Sequence, residues 1–301
     1  MTLSIAAVER DTGIGKDTLR VWERRYGFPV PGRDPHGERT YPMAQVEKLR
    51  VIKRLMDQGH RPGRIVAQSM DMLQHLSRGE AVLQSAPALA GGHARADVLA
   101  YITLLQTQGA EGLRRELLKS LSDKGLQSLV TEVLAPLTTL VGEAWSRGDL
   151  AVHEEHLYTE CVSGVLRQAI AATSTPAGGG TPVVLLTTFP QEAHGLGLLM
   201  VESLLTLEGC RCVSLGTQTP VRDIAQAAAV HGVDVVALSF SAHMKTNHVL
   251  SGLMELSALL PPAVAVWAGG AAPALRRSQA ARVRVVDDLS AIADAVHQWR
   301  T

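Results

Sequence analysis

The stretch Val183-Val-Leu-Leu-Thr-Thr-Phe-Pro-Gln-Glu-Ala-His-Gly-Leu-Gly197 decides the fold. Its first five residues are apolar or β-branched, the right length for a strand and unbroken enough to be buried on both faces. A strand of that kind belongs to a parallel sheet covered by helices. The segment from Phe189 to Gly197 is then the first loop beyond the carboxyl end of the sheet, where open α/β folds hold their ligands.

Residues 211–215, 233–238 and 264–267 repeat the apolar or β-branched pattern, with helical stretches between them. A short strand at 284–286 and a helix over 289–299 complete the set. We therefore expect a doubly wound, Rossmann-like domain of five parallel strands over 181–301. Upstream, Pro176-Ala-Gly-Gly-Gly180 reads as a linker. Helical periodicity dominates from 96 to 173, with breaks near Gly109, Asp123-Lys-Gly125 and Gly148, and predicts a four-helix bundle over 96–175. An Ala-, Gly- and Ser-rich segment marks a second linker at 78–95.

The N-terminal segment is organised differently. Ser4 is placed to cap a helix that begins Ile5-Ala-Ala-Val8, and Gly13 and Gly15 break the chain before residues 16–25. That second helix would bury Leu19, Val21 and Trp22 while Arg20, Arg24 and Arg25 stay accessible, which makes a helix-turn-helix. Phe28 to Pro42, rich in Pro and Gly, predicts a hairpin-like wing. Val46, Leu49, Ile52 and Leu55 predict a helix over 43–56 that stops at Gly59, with a short helix from Pro62. The winged helix-turn-helix module would span 1–77.

At 301 residues the chain exceeds what one core usually serves, about 250 residues, so a multidomain α and α/β protein is expected. A hydrophobic share of 46% against 19% charged speaks against widespread disorder. The formal charge is zero overall, yet residues 1–80 hold 14 Lys or Arg against 10 Asp or Glu. That excess points to a polyanionic partner for the N-terminal module. Cys161, Cys210 and Cys212 form no C-x-x-C pair and have no zinc-site spacing, so reduced thiols are expected. No apolar run reaches the roughly 18 residues of a membrane span, and no cationic-then-apolar leader begins the chain. The expectation is a cytoplasmic protein with no membrane partner.

In the decisive loop, His194 can offer one ring nitrogen to a metal while Glu192 takes a hydrogen bond from the other, which raises the ligand's basicity. Gly195 and Gly197 keep side chains away from a bulky ligand. The pattern Glu192-x-His194-x-x-Gly197 resembles the cobalamin-binding motif Asp/Glu-x-His-x-x-Gly of methionine synthase, the mutases and cobalamin-dependent regulators. In that family a Ser-x-Leu segment follows the third strand and a Gly-Gly pair the fourth. Here these fall at Ser239-Phe-Ser241, with Ser241 in place of Leu, and at Gly269-Gly270. The resemblance implies that His194 replaces the dimethylbenzimidazole base as the lower cobalt ligand. It also implies that the nucleotide tail threads between sheet and helix beside Ser239 and the glycines.

Two further stretches extend the likeness. Trp145, nine residues, then Glu155-His156 resembles the Trp-x9-Glu-His motif with which regulators of the CarH/LitR kind cap the upper face of the corrin. A flat indole can stack on an adenosyl group, and the Glu and His can reach its polar atoms. At the N-terminus, Thr18-Leu-Arg-Val-Trp-Glu-Arg-Arg-Tyr-Gly-Phe28 and Gly37-Glu-Arg-Thr-Tyr41 look like the recognition helix and wing of MerR proteins. That resemblance implies Lys16, Arg20, Arg24 and Tyr26 at the major groove or its flanking phosphates, with Arg33, Arg39 and Tyr41 on the wing.

Taken together, the three matches resemble the CarH/LitR light-dependent repressors. They imply adenosylcobalamin as cofactor, operator DNA as partner, and no catalytic residues. They also imply a homo-oligomer, a tetramer in the dark, that light disperses by breaking the cobalt–carbon bond. In well-studied members a His follows the capping Trp and becomes the upper cobalt ligand after photolysis; here that position is Ser146. His153, His156 or water would have to serve instead. Two other readings stay open: a sensor of adenosylcobalamin level without a light response, and a corrinoid-carrying enzyme subunit, for which the N-terminal module has no purpose.

Overall fold

A computed structural model describes residues 2–57, 60–74, 76, 92–173, 180–277 and 282–301. These fall into two compact units: the N-terminal segment together with Gly142–Ala151, and the remainder. Gly59, Ser77, the linker at 78–91 and most of the linker at 176–180 lie outside the described residues. The four residues 92–95, expected in the linker, already belong to a helix.

In the N-terminal unit the elements are β1 (Thr2–Ser4), α1 (Ile5–Thr12), α2 (Lys16–Tyr26), β2 (Gly32–Arg33), β3 (Arg39–Pro42), α3 (Met43–Asp57) and α4 (Pro62–Ile65). The Ser4 hydroxyl accepts the Ala7 amide at 3.3 Å, which satisfies an otherwise orphaned donor at the start of α1. Gly13, at φ 68°, closes the helix in the left-handed conformation that costs glycine least. The wing strands β2 and β3 pair antiparallel, and β1 joins them on the far side of β3. β1 was not expected, since three residues are too few to show a period of two. Leu19, Trp22, Val46, Leu49, Ile52 and Leu55 are buried together, as their spacing predicts. Val21 is not, being 43% exposed. Two residues from Leu19 is a turn of roughly 200° on a helix, which puts Val21 on the outer side.

The second unit begins with α5 (Gly92–Ser128), a run interrupted by non-helical residues at Gly109 and Gly125, where the sequence places its breaks. A π-helical turn, Leu129–Leu134, leads into α6 (Ala135–Arg147), and α7 (Val152–Ala172) follows. Nothing in a 3.6-residue period announces the wider turn. Leu113, Leu117, Leu129, Leu137, Val162 and Leu166 are buried in this helical layer. The end of α6 and the turn after it, Gly142–Ala151, expected within the bundle, are grouped with the N-terminal segment instead.

The sheet is doubly wound and wholly parallel, in the order β5-β4-β6-β7-β8. Its elements are β4 (Val183–Thr187), α8 (Leu196–Leu207), β5 (Arg211–Gly216), α9 (Val221–His231), β6 (Val235–Phe240), α10 (Thr246–Leu259), β7 (Ala265–Gly270), β8 (Val283–Val286) and α11 (Ile292–Arg300). The chain starts at β4, steps outward to β5, and then returns past β4 to β6. The strand order reverses there, so the loop after β4 opens at the switch point of the sheet. β6 and β7 each run further than expected and take in Ser239 and the Gly269-Gly270 pair, which lie at strand ends rather than after them. Among the described residues no helix is long and apolar enough to cross a membrane, and the three cysteines are free thiols.

One glycine on α10 is required by packing. A Cβ added at Gly252 would lie 2.5 Å from Cε2 of Phe189, at the root of the loop after β4. That ring is fully buried and set edge-on against Phe240, with centroids 5.2 Å apart, so it has little room to retreat. Gly252→Ala should therefore destabilise the domain by about 1–3 kcal/mol, the usual cost of overpacking. The measurement is the urea midpoint, and an unchanged midpoint would show that the ring yields freely.

Candidate functional site

The loop after β4 is built around a buried carboxylate. The Thr188 hydroxyl donates to the Glu192 carbonyl at 2.6 Å, and the Glu192 amide donates to the Phe189 carbonyl at 3.1 Å. These bonds fold the loop back so that the Glu192 side chain is only 1% exposed. Its Oε1 accepts from the His194 amide at 3.1 Å and from His194 Nδ1 at 2.5 Å. Its Oε2 accepts from the Ser241 amide, just past the end of β6, at 2.7 Å. Burial alone would raise the pKa of this carboxyl. The bonds from the His194 ring, from Ser241 and from the His194 backbone outweigh it and push the value down to about 2.

An ionised Glu192 is acceptor-only, so the hydrogen between it and His194 sits on Nδ1 and the ring is held in one tautomer. The His194 side chain is 66% exposed, and Nε2 is the nitrogen left to take a ligand. Its pKa is raised, first by the hydrogen bond to Glu192, against burial, and further by the charges of Glu192 and Glu155. A metal at Nε2 therefore competes with a proton there. Among the described residues no group of three or more His, Cys, Asp and Glu could hold a metal ion. A metal at His194 would have to bring its other ligands with it, as the cobalt of a corrin does, so the donor set fits that group.

Glu155, on α7, is close enough to act on His194, and the Thr159 hydroxyl donates to its Oε1 at 2.8 Å. His156 Nε2 lies 3.7 Å from Glu155 Oε2 and is largely exposed. The structure thus brings Glu155 and His156 into the unit that carries His194. Trp145, half-buried, falls in the N-terminal unit. The cradle residues meet in register: Ser239 pairs with Gly269, and Phe240 with Gly270, across β6 and β7. A Cβ at Gly197 would lie 2.9 Å from Ser239 Oγ, so this glycine keeps the seam between α8 and β6 clear beside that hydroxyl. At Gly269 and Gly270 a Cβ would instead strike the backbone, 2.9 Å from the Val286 carbonyl oxygen and 2.3 Å from that of Phe240. Close approach within the sheet already demands these two glycines.

Sequence reasoning missed two histidines beside the loop. The His243 ring lies 5.9 Å from that of His194. From α10, His248 Nε2 donates to the Pro190 carbonyl at 3.1 Å and steadies the loop from the other face of the sheet. Both lie in or just after the loop that follows β6, at the same sheet end as His194, and that placement is the signal that could have found them.

In the N-terminal unit most of the anticipated contact residues are exposed or half-exposed, though several are already paired. Lys16 Nζ lies 3.4 Å from Glu9, Arg20 Nη1 3.0 Å from Asp17, and Arg39 Nε 3.0 Å from Glu23. The Glu23 bond holds the Arg39 guanidinium above its ordinary pKa. Arg33 Nη1 donates to the Gly37 carbonyl at 2.7 Å within the wing. Arg24 is exposed, and Tyr26 lies under the Arg25 guanidinium at 5.4 Å. Tyr41 must be corrected. It is 0% exposed, opposite Leu3 of β1 in the core of this unit, and a ring buried there is not available to DNA.

Three family models match the chain: MerR HTH family regulatory protein over residues 3–67, and two models described as B12 binding domain over 95–170 and 182–294. The chain is 32% identical over 279 residues to the HTH-type transcriptional repressor CarH of Myxococcus xanthus, covering 91% of this chain and 90% of that protein. It is also 32% identical over 243 residues to the repressor CarA of the same organism, covering 80% and 77%. Among solved structures, the monomethylamine corrinoid protein of Methanosarcina barkeri superposes with a TM-score of 0.53 at 18% identity, over 66% of this chain and 96% of that one. That last likeness concerns the fold alone. Both relatives, matched over three quarters or more of their length, are repressors, which sets aside the enzyme-subunit reading. The chain belongs to the MerR-type, cobalamin-binding transcription regulators, the family of CarH and CarA.

Proposed function

We propose that this protein is a light-responsive repressor that holds adenosylcobalamin, occupies operator DNA as an oligomer in the dark, and leaves it on illumination. The observation that carries the reading is the Glu192–His194 pair, which presents one imidazole nitrogen of fixed tautomer at the switch point of the sheet. In this reading residues 181–301 hold the cofactor, 96–175 cap it and 1–77 bind DNA. His194 Nε2 would take the cobalt, Glu192 fixes the ring, and Gly197 with Ser239, Gly269 and Gly270 would hold the nucleotide tail. Trp145, Glu155 and His156 would serve as the cap of the cofactor. The bound cofactor supplies a cobalt–carbon bond that visible light breaks. The protein supplies the fit and the assembly that light undoes. Joining several weak DNA heads into one particle raises operator affinity through effective concentration, so loss of assembly releases DNA.

A second reading, a sensor of adenosylcobalamin level without a light response, is favoured by Ser146. A hydroxyl is a poor substitute for imidazole at cobalt. Electrophoretic mobility of operator DNA in dark and light, with and without adenosylcobalamin, separates the two. Retardation that needs the cofactor and vanishes on illumination supports the first; retardation that needs the cofactor and ignores light supports the second.

His194→Ala should weaken cobalamin binding, or shift the absorption of the bound cofactor from histidine-ligated toward base-off. An unchanged spectrum at unchanged affinity would refute the assignment of His194. Glu192→Gln should act in the same sense, within the 10–100-fold typical of residues that orient a ligand. On the DNA side, Arg20→Ala or Arg24→Ala should weaken operator binding and reduce its salt slope by roughly one, as loss of a phosphate contact does, and leave the cofactor spectrum untouched.

A further inference from the structure

Arg54 sits near the end of α3, one residue before the buried Leu55. Its Nη1 donates to the Trp145 carbonyl at 3.1 Å, across 91 residues of chain. The same carbonyl accepts the Gly148 amide at 3.0 Å, so it closes the turn after α6 and takes the guanidinium at once. Gly148 stands at φ 82°, and a Cβ there would lie 3.2 Å from Nη1 of Arg54. The guanidinium therefore rests against bare backbone that only glycine provides. Burial lowers the Arg54 pKa, with some repulsion from Arg50, so this charge has been partly stripped of water to make the contact.

Both sides of the contact are stiff. The turn is braced by Arg147, which reaches Asp149 at 2.7 Å and Glu143 at 3.8 Å, and by the Asp149 and Leu150 amides on the Ala144 carbonyl. α3 follows directly from the wing strand β3, and one turn before Arg54, Arg50 grips Asp11 of α1 through two bonds of 2.8 Å. A displacement of the Trp145 turn would thus be felt by the helix that carries the wing.

We propose that Arg54 is a positioning residue that fastens the Trp145 turn to the DNA-binding segment, so that a change at the cofactor cap reaches the wing through α3. The coupling rests on the cofactor role given to Trp145 above. The fastening itself does not.

Hydrogen exchange of the full-length protein without cofactor tests the fastening. Arg54→Ala should speed exchange of the Gly148 amide roughly ten-fold or more, the equivalent of one charge-assisted hydrogen bond, while Arg54→Lys should recover most of the protection. Operator affinity with and without adenosylcobalamin in the dark tests the coupling. In Arg54→Ala the ratio of the two affinities should fall toward one, with the cofactor spectrum unchanged. Gly148→Ala, which crowds the guanidinium from the other side, should do the same. Unchanged exchange at Gly148 would overturn the fastening. Faster exchange with an unchanged affinity ratio would overturn the coupling, as would a uniform loss of DNA affinity, which marks a plain phosphate contact. A wild-type protein whose operator affinity ignores the cofactor would overturn the reading of the cap and the coupling with it, and exchange would still decide whether Arg54 holds the turn.

Discussion

Everything at the carboxyl end of the sheet is arranged around one buried negative charge. A carboxylate taken out of water costs several kcal/mol unless its oxygens are bonded, and Glu192 meets that condition with donors from two places. One oxygen is held by its own loop through His194, the other by Ser241 beyond β6. The ion therefore ties the ends of the neighbouring strands β4 and β6 together, and it fixes which nitrogen of His194 faces outward. Ligand geometry and loop stability rest on the same bonds.

The strand order makes this arrangement available. β4 is hydrogen-bonded to β5 on one side and β6 on the other, and its loop emerges where the connections part to opposite faces. The loop is then gripped from three directions. Thr188 folds it back beneath the strand end, Ser241 anchors it to β6, and α10 holds its root through the Phe189 ring over Gly252 and the His248–Pro190 bond. An imidazole offered to a bulky ligand needs that support, because a site is only as precise as the groups that hold it.

The strands were legible because parallel strands buried on both faces are continuous apolar runs, and such runs contrast with helical spacing. Their ends were less so. Ser239 and Gly269-Gly270 look like loop residues, yet in register they extend β6 and β7. The Glu192–His194 bond could be read from two residues of spacing, since a loop so short brings the side chains together. Tyr41 was misread because a wing motif gives the type of residue but not which face of a two-to-four-residue strand it occupies. The His248–Pro190 and Arg54–Trp145 contacts span 58 and 91 residues and leave no local trace. Grouping of the Trp145 turn with the N-terminal segment was hidden for the same reason, as periodicity assigns residues to helices and not helices to neighbours.

If α2 and β3 face DNA as proposed, the pairing of their cations bears on affinity. Lys16, Arg20 and Arg39 each already face a carboxylate, from Glu9, Asp17 and Glu23. Surface pairs of this kind add little to stability, but a phosphate that took over the cation would leave the carboxylate nearby and unneutralised. The gain per contact would then be smaller than an exposed arginine such as Arg24 would give, in keeping with the small basic excess of the whole segment. A single head that used these contacts, as proposed, would bind DNA weakly. Under the proposed function, affinity would then come from tethering heads to one another, and a regulator whose assembly followed its cofactor would gain most control when each head alone fell short.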